Sequence, residues 1–111
     1  MKQYTIDEMR LEDYYKIRSY LEENHNDNCI EGIYRIFLDK DLLSAAQKRH
    51  EAECGPFYFA VELIEQSVSF EFLVRAKNRI RCGCIKYANK KQRAWLMDYV
   101  DSIFNKLDII V

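Results

Sequence analysis

A chain of 111 residues, 49% of them apolar and 14% aromatic with one proline and three glycines, is too rich in core-forming residues to be disordered and too short for two independent cores. Its formal charge of −1 excludes a protein built as a whole to coat nucleic acid or an acidic membrane. No window approaches the roughly 18 apolar residues of a membrane span and the first residues carry no apolar leader, so a single α+β domain over residues 1–111 is expected in the cytoplasm, with its four cysteines reduced.

Thr5-Ile6-Asp7-Glu8 has the spacing of a capping box, in which a Thr and a Glu three residues apart satisfy the free amides of a first helical turn, and a helix is predicted to begin there. Leu11, Tyr14, Ile17 and Leu21 recur at helical spacing and form its expected buried face, with Glu12, Asp13, Lys16 and Glu23 mostly elsewhere. The polar run at 24–28 ends it. Over residues 30–38 the period is two, with Tyr34, Ile36 and Leu38 on one side and Ile33, Arg35 and Phe37 on the other, which predicts a strand. Ser44 and Gln47 repeat the capping-box spacing, and Gly55-Pro56 supplies the stop for a helix of about ten residues.

Three strands should follow. Phe57, Phe59, Val61 and Leu63 alternate with Tyr58, Ala60, Glu62 and Ile64; Phe70, Phe72 and Val74 alternate with Glu71, Leu73 and Arg75. After a turn at Ala76-Lys77-Asn78, the last strand is predicted over 79–87. A two-residue loop at Gln66-Ser67 sets Phe70 against Leu63 and Glu71 against Glu62; the second hairpin sets Val74 against Ile80, Phe72 against Cys82 and Phe70 against Cys84, so both cysteines point into the core. Asn89 and Gln92 cap a final helix in which Leu96, Val100, Ile103 and Leu107 share a face. The apolar Ile109-Ile110-Val111 is expected to add as a short strand to a sheet edge, in this chain or in a second copy.

The expected order is α-β-α-β-β-β-α, a four-stranded and mainly antiparallel sheet with helices packed mostly on one face. Its C-terminal α-β-β-β-α part resembles double-stranded RNA-binding domains in element order, a likeness that implies no function by itself.

Three groups of residues carry candidate chemistry. Cys82-Gly83-Cys84, with His50 and Cys54 four apart on a helix, offers four soft ligands of a kind zinc accepts. Zinc ribbons and fingers place such pairs in tight turns rather than along a strand, and free cysteine packs as a small hydrophobe. The expectation is therefore buried, metal-free cysteines and no cofactor. Eight Lys or Arg and no carboxylate lie between residues 75 and 93, a stripe that suits phosphate or an acidic protein surface, with Tyr87 and Trp95 close by. The sheet face opposite the phenylalanines should present Tyr58, Glu62, Glu71, Leu73, Arg75, Arg81, Ile85 and Tyr87, a mixture typical of an interface. Glu62 opposite Glu71 would need a cation beside it, and Gly83 should leave a gap beside Glu71.

His25 sits in a polar loop, and no phosphate loop, nucleophile elbow or His-Glu zinc motif occurs, so an enzyme is not expected. The expected role is protein binding through Arg75, Lys77, Arg79, Arg81, Glu62, Glu71, Tyr58 and Tyr87. Nucleic-acid binding through the stripe is the alternative, followed by a zinc-binding structural module; a homodimer is a candidate assembly.

Overall fold

The computed structural model describes residues 2–27 and 30–110. The elements are β1 (Gln3–Ile6), α1 (Leu11–Asn24), β2 (Ile33–Phe37), a 3-10 turn (Lys40–Leu42), α2 (Ala45–Cys54), β3 (Phe57–Ile64), β4 (Ser67–Ala76), β5 (Lys86–Tyr87) and α3 (Lys90–Lys106). The strands form one antiparallel sheet in the order β1-β4-β3-β2, with β5 also paired to β4. The fold is α+β, as the sequence pattern predicts, and among the described residues no helix is long and apolar enough to cross a membrane.

Alternation decides which way the sheet faces. Tyr34 and Ile36 of β2, Phe57, Phe59, Val61 and Leu63 of β3, and Val68, Phe70 and Val74 of β4 are buried in one cluster with Ile17 and Leu21 of α1 and Leu96, Val100, Ile103 and Phe104 of α3. Each such side chain removed from water contributes about 1.5–3 kcal/mol, which holds α1 and α3 on this face. Both predicted capping boxes form, Ser44 with Gln47 and Asn89 with Gln92.

The N-terminus departs from expectation. Gln3–Ile6 pairs with β4, Tyr4 opposite Phe70 and Thr5 opposite Ser69, and the Thr5 hydroxyl meets the Ser69 hydroxyl at 3.0 Å instead of capping a helix. Tyr, Thr and Ile suit a half-buried pleated surface, and packing along β4 outweighs a cap worth about 1 kcal/mol. The helix starts only after Glu8, whose φ of 56° is left-handed. Its phase differs too: Asp13 is buried with Ile17 and Leu21 while Leu11 is 51% exposed.

The β3–β4 hairpin turns at Glu65-Gln66, so Leu63 faces Val68, Glu62 faces Ser69 and Val61 faces Phe70. The slip of two from the predicted register is confined to the turn side of the hairpin, since Phe57–Ala76, Tyr58–Arg75 and Phe59–Val74 pair in the predicted register, and an even slip does not exchange the faces of the sheet. It also removes the expected Glu62–Glu71 apposition, because Glu71 lies opposite Gln3. Between the Phe59–Val74 and Val61–Phe70 pairs a bulge sets Glu71, Phe72 and Leu73 against Ala60.

The predicted strand over 79–87 is reduced to two residues. Arg79 bridges Ala76 across a tight turn, after which the chain leaves the sheet and returns only where Tyr87 and Lys86 pair with Leu73 and Val74. Phe72 therefore does not face Cys82, nor Phe70 Cys84, nor Val74 Ile80. The reason is competition for one edge. β1 occupies β4 from Val68 to Glu71, and Phe72 donates nothing to the 79–87 segment: its N–H goes to the Lys2 carbonyl at 3.0 Å, while its carbonyl accepts from Ala88 N–H at 2.7 Å. The likeness of element order to double-stranded RNA-binding domains stops at this shortened strand.

The C-terminus also differs from the expected edge strand. Asp108 takes the left-handed conformation, φ 59°, and the N–H groups of Asp108 and Ile109 bond the carbonyls of Asn105 and Phe104 at 3.2 and 2.9 Å. This closes α3 as a Schellman motif with buried Ile109 as its apolar clasp; Ile109 and Ile110 add to no strand, and Val111 lies outside the described residues.

Candidate binding groove and a cysteine–histidine cluster

With α1 and α3 on one face, the opposite face of the sheet is left open. It contains a shallow cavity of about 330 Å³ lined by Gln3, Ile33, Arg35, Tyr58, Glu62, Ser69, Glu71 and Arg75 among others. Strand pairing puts Tyr58 directly opposite Arg75. The Arg35 guanidinium lies over the Tyr58 ring, 4.8 Å from its centroid, and Arg75 bonds Glu71 with Nε at 3.1 Å and Nη2 at 3.5 Å. Asp27 bridges Arg35 Nη1 at 2.8 Å and Lys77 Nζ at 2.9 Å. The Lys77 and Arg35 hydrogen bonds, in that order, hold the Asp27 carboxyl below its usual range.

A second cavity of about 170 Å³ continues the first, sharing Arg35, Tyr58 and Arg75 and adding Lys77, Arg79, Ile80 and Ile85. Of the eight residues singled out from the sequence, Tyr58, Glu62, Glu71 and Arg75 thus line the first cavity, and Lys77 and Arg79 join the second. Arg81 and Tyr87 line neither; Arg81 is exposed, and Tyr87 sits under the Lys2 ammonium, 5.3 Å from its ring centroid. Gly83 is not beside Glu71, and a Cβ there would meet nothing within 4 Å. Arg35 and Asp27 are not among the site residues expected from the sequence. Arg35 was legible, because it falls on the outward side of β2, whereas Asp27 is brought in by the loop after α1 with no periodicity to announce it.

His25, expected to be solvated, is half-buried. Its Nε2 meets the Tyr99 hydroxyl at 2.7 Å, and Tyr99 meets the Tyr20 hydroxyl at 2.9 Å. Burial lowers its pKa against an opposing effect of the Arg35 backbone.

The loop that leaves β4 has a different destination. Lys77 N–H donates to the Pro56 carbonyl at 2.9 Å and Asn78 N–H to the Cys54 carbonyl at 3.1 Å, fastening the turn to the end of α2. Cys82-Gly83-Cys84-Ile85 then makes its own turn, Ile85 N–H to Cys82 carbonyl at 3.0 Å. In consequence the ligand atoms of His50, Cys54, Cys82 and Cys84 all lie within 4.8 Å of one another, with Cys82 Sγ and His50 Nδ1 3.4 Å apart.

Two buried glutamines hold this loop from behind. Gln47 and Gln92 are the third residues of α2 and α3, and each accepts its own capping-box bond. Gln92 Nε2 also donates to Gln47 Oε1 at 2.9 Å and to the Leu42 carbonyl at 2.8 Å, and Gln47 Nε2 donates to the Cys84 carbonyl at 3.2 Å. Two helix starts and the cysteine turn are therefore one hydrogen-bonded unit.

The three thiols are unequal. The Cys84 backbone N–H and then its thiol draw Cys82 down to about 7, while burial pushes Cys84 up to about 12 and Cys54 upward. The donor types and the His50–Cys54 spacing are visible in the sequence, but Cys82 and Cys84 lie in a turn rather than on the expected strand, and that turn brings them to α2. No protein-family profile, curated protein or solved structure matches the chain.

Proposed function

We propose that this domain binds another protein through the outer face of its sheet, taking an acidic segment at the end formed by Arg35, Arg75, Lys77 and Arg79. The supporting observation is the continuity of the two cavities through Arg35, Tyr58 and Arg75 on the face the helices leave open. Tyr and Arg are enriched at interface centres because they offer large contact area and several hydrogen bonds. Arg35, stacked on Tyr58 and bonded to Asp27, is already held in position, so less side-chain entropy is lost on binding. Arg79 makes no ion pair with a described residue and is left for a partner's carboxylate.

A photo-crosslinking phenylalanine in place of Tyr58, compared with one in place of Tyr15, which is exposed on α1, tests the reading in cells of the native host. Tyr58 should trap a discrete protein adduct that Tyr15 does not, and Arg75→Glu combined with Arg79→Glu should abolish it. Arg79 is exposed, so its change should cost less than about 0.5 kcal/mol; Arg75 is half-buried and paired with Glu71, so the double variant should melt below the parent while remaining folded. Equal trapping from both sites, or survival of the adduct in the double variant, overturns the reading. An adduct to nucleic acid, with affinity that falls steeply with salt through counterion release, transfers the face to that partner class instead.

A further inference from the structure

The geometry points to a structural zinc site formed by His50, Cys54, Cys82 and Cys84, a Cys3His set independent of the outer sheet face. Four donors reach it from two stretches of chain distant in sequence. His50 and Cys54 stand one helical turn apart on the last turns of α2, the spacing that brings two side chains onto one face. Cys82 and Cys84 come from the turn that follows Arg79, not from a strand, and tight turns are where zinc sites take their closely spaced cysteines. Their donor atoms all lie within 4.8 Å of one another. A tetrahedral zinc with bonds of about 2.3 Å to sulfur and about 2.0 Å to nitrogen requires neighbouring donors roughly 3.6–3.8 Å apart; the 3.4 Å between Cys82 Sγ and His50 Nδ1 is already near that, and no pair of donors is more than 4.8 Å apart.

Packing alone accounts poorly for this loop. Ile80 is 95% exposed, and the chain forgoes ladder hydrogen bonds along residues 80–85 to deliver Cys82 and Cys84 to α2. What it gains there, besides the burial of Cys84, is the cluster itself. The surroundings have the features of an outer shell: Gln47 holds the Cys84 carbonyl, and Gly55, where a Cβ would come within 2.7 Å of the Glu51 carbonyl, lets the chain turn away directly after Cys54. Cys54 and Cys84 are buried while His50 and Cys82 are half-buried, which gives an ion a bottom to the site and a way in. Three thiolates and an imidazole select a borderline-soft ion over magnesium or calcium, and a closed set of four protein ligands is the structural rather than the catalytic arrangement. On binding, zinc displaces the protons the thiols carry.

The test uses the full chain purified under reducing conditions without chelator. Elemental analysis should find close to one zinc per chain, and cobalt added to metal-stripped protein should develop the intense visible bands of a tetrahedral thiolate site. Stripping the unsubstituted protein should lower its melting temperature and zinc should restore it, a readout that needs no variant to fold. His50→Cys should keep the metal with a shifted cobalt spectrum, and His50→Ala should lose more affinity than the roughly 10- to 100-fold that follows from changing an outer-shell partner. The combined Cys82→Ser and Cys84→Ser variant should bring the metal content to zero. Zinc retained by that variant marks an adventitious ion only and overturns the site. So do a chain that binds neither zinc nor cobalt when reduced, stoichiometric iron or copper in place of zinc, or stripped protein that melts like the loaded form.

Discussion

The β3–β4 hairpin and the segment that follows it, residues 77–88, share an alternating pattern and end in different structures. In the hairpin, Phe57, Phe59, Val61 and Leu63 alternate with outward residues and every one of them is buried. In the following segment Ile80, Cys82 and Cys84 alternate just as regularly, yet Ile80 faces solvent and the cysteines turn away from the sheet toward α2. A period of two says that a stretch can serve as a strand; whether it does depends on a free edge. β3 has β2 on one side and β4 on the other, while the 79–87 stretch finds the β4 edge from Val68 to Glu71 taken by β1.

Phe59→Ala, in the hairpin and under Trp95 at a centroid distance of 6.4 Å, should cost about 3–5 kcal/mol in chemical denaturation; a loss below about 1 kcal/mol would mean that the hairpin is not what the helices pack on. Between the extremes lies the frame behind the cysteine turn. Gln92→Ala removes the side-chain half of a capping box, leaving the Asn89 N–H short of an acceptor and the Leu42 carbonyl and Gln47 Oε1 short of a donor, so a loss of about 1–3 kcal/mol is expected, together with faster amide exchange at Ile85, whose bond to Cys82 closes the turn. An unchanged exchange rate there would show that the glutamine pair does not support the loop. The smallest effect belongs to Ile80→Ser, which should move stability by less than about 0.5 kcal/mol. A larger destabilisation would place Ile80 in a strand after all and restore the simple hairpin.

Much of the fold was legible because the signals were local. Ser44 with Gln47 and Asn89 with Gln92 mark helix starts by a bond between residues three apart, and the same chemistry operates wherever those helices lie. The binding face was partly legible for a related reason: alternation along β3 and β4 assigned Tyr58, Glu62, Glu71 and Arg75 to one side, and a register slip of two left that assignment intact. Thr5 and Glu8 show the limit, since their spacing is as good as that of the other two boxes but a strand partner 64 residues away claims the Thr5 hydroxyl.

By itself, then, the sequence determined the α+β class, the helix starts at Ser44 and Asn89, and the inward and outward sides of β2, β3 and β4, all consequences of periods and caps that span a few residues. Only the tertiary structure decided that β1 takes the β4 edge, that Arg35 and Asp27 join the cationic end of the groove, and that Cys82 and Cys84 meet His50 and Cys54. Those outcomes depend on two stretches competing for the same backbone hydrogen bonds, and no local pattern records which of them wins.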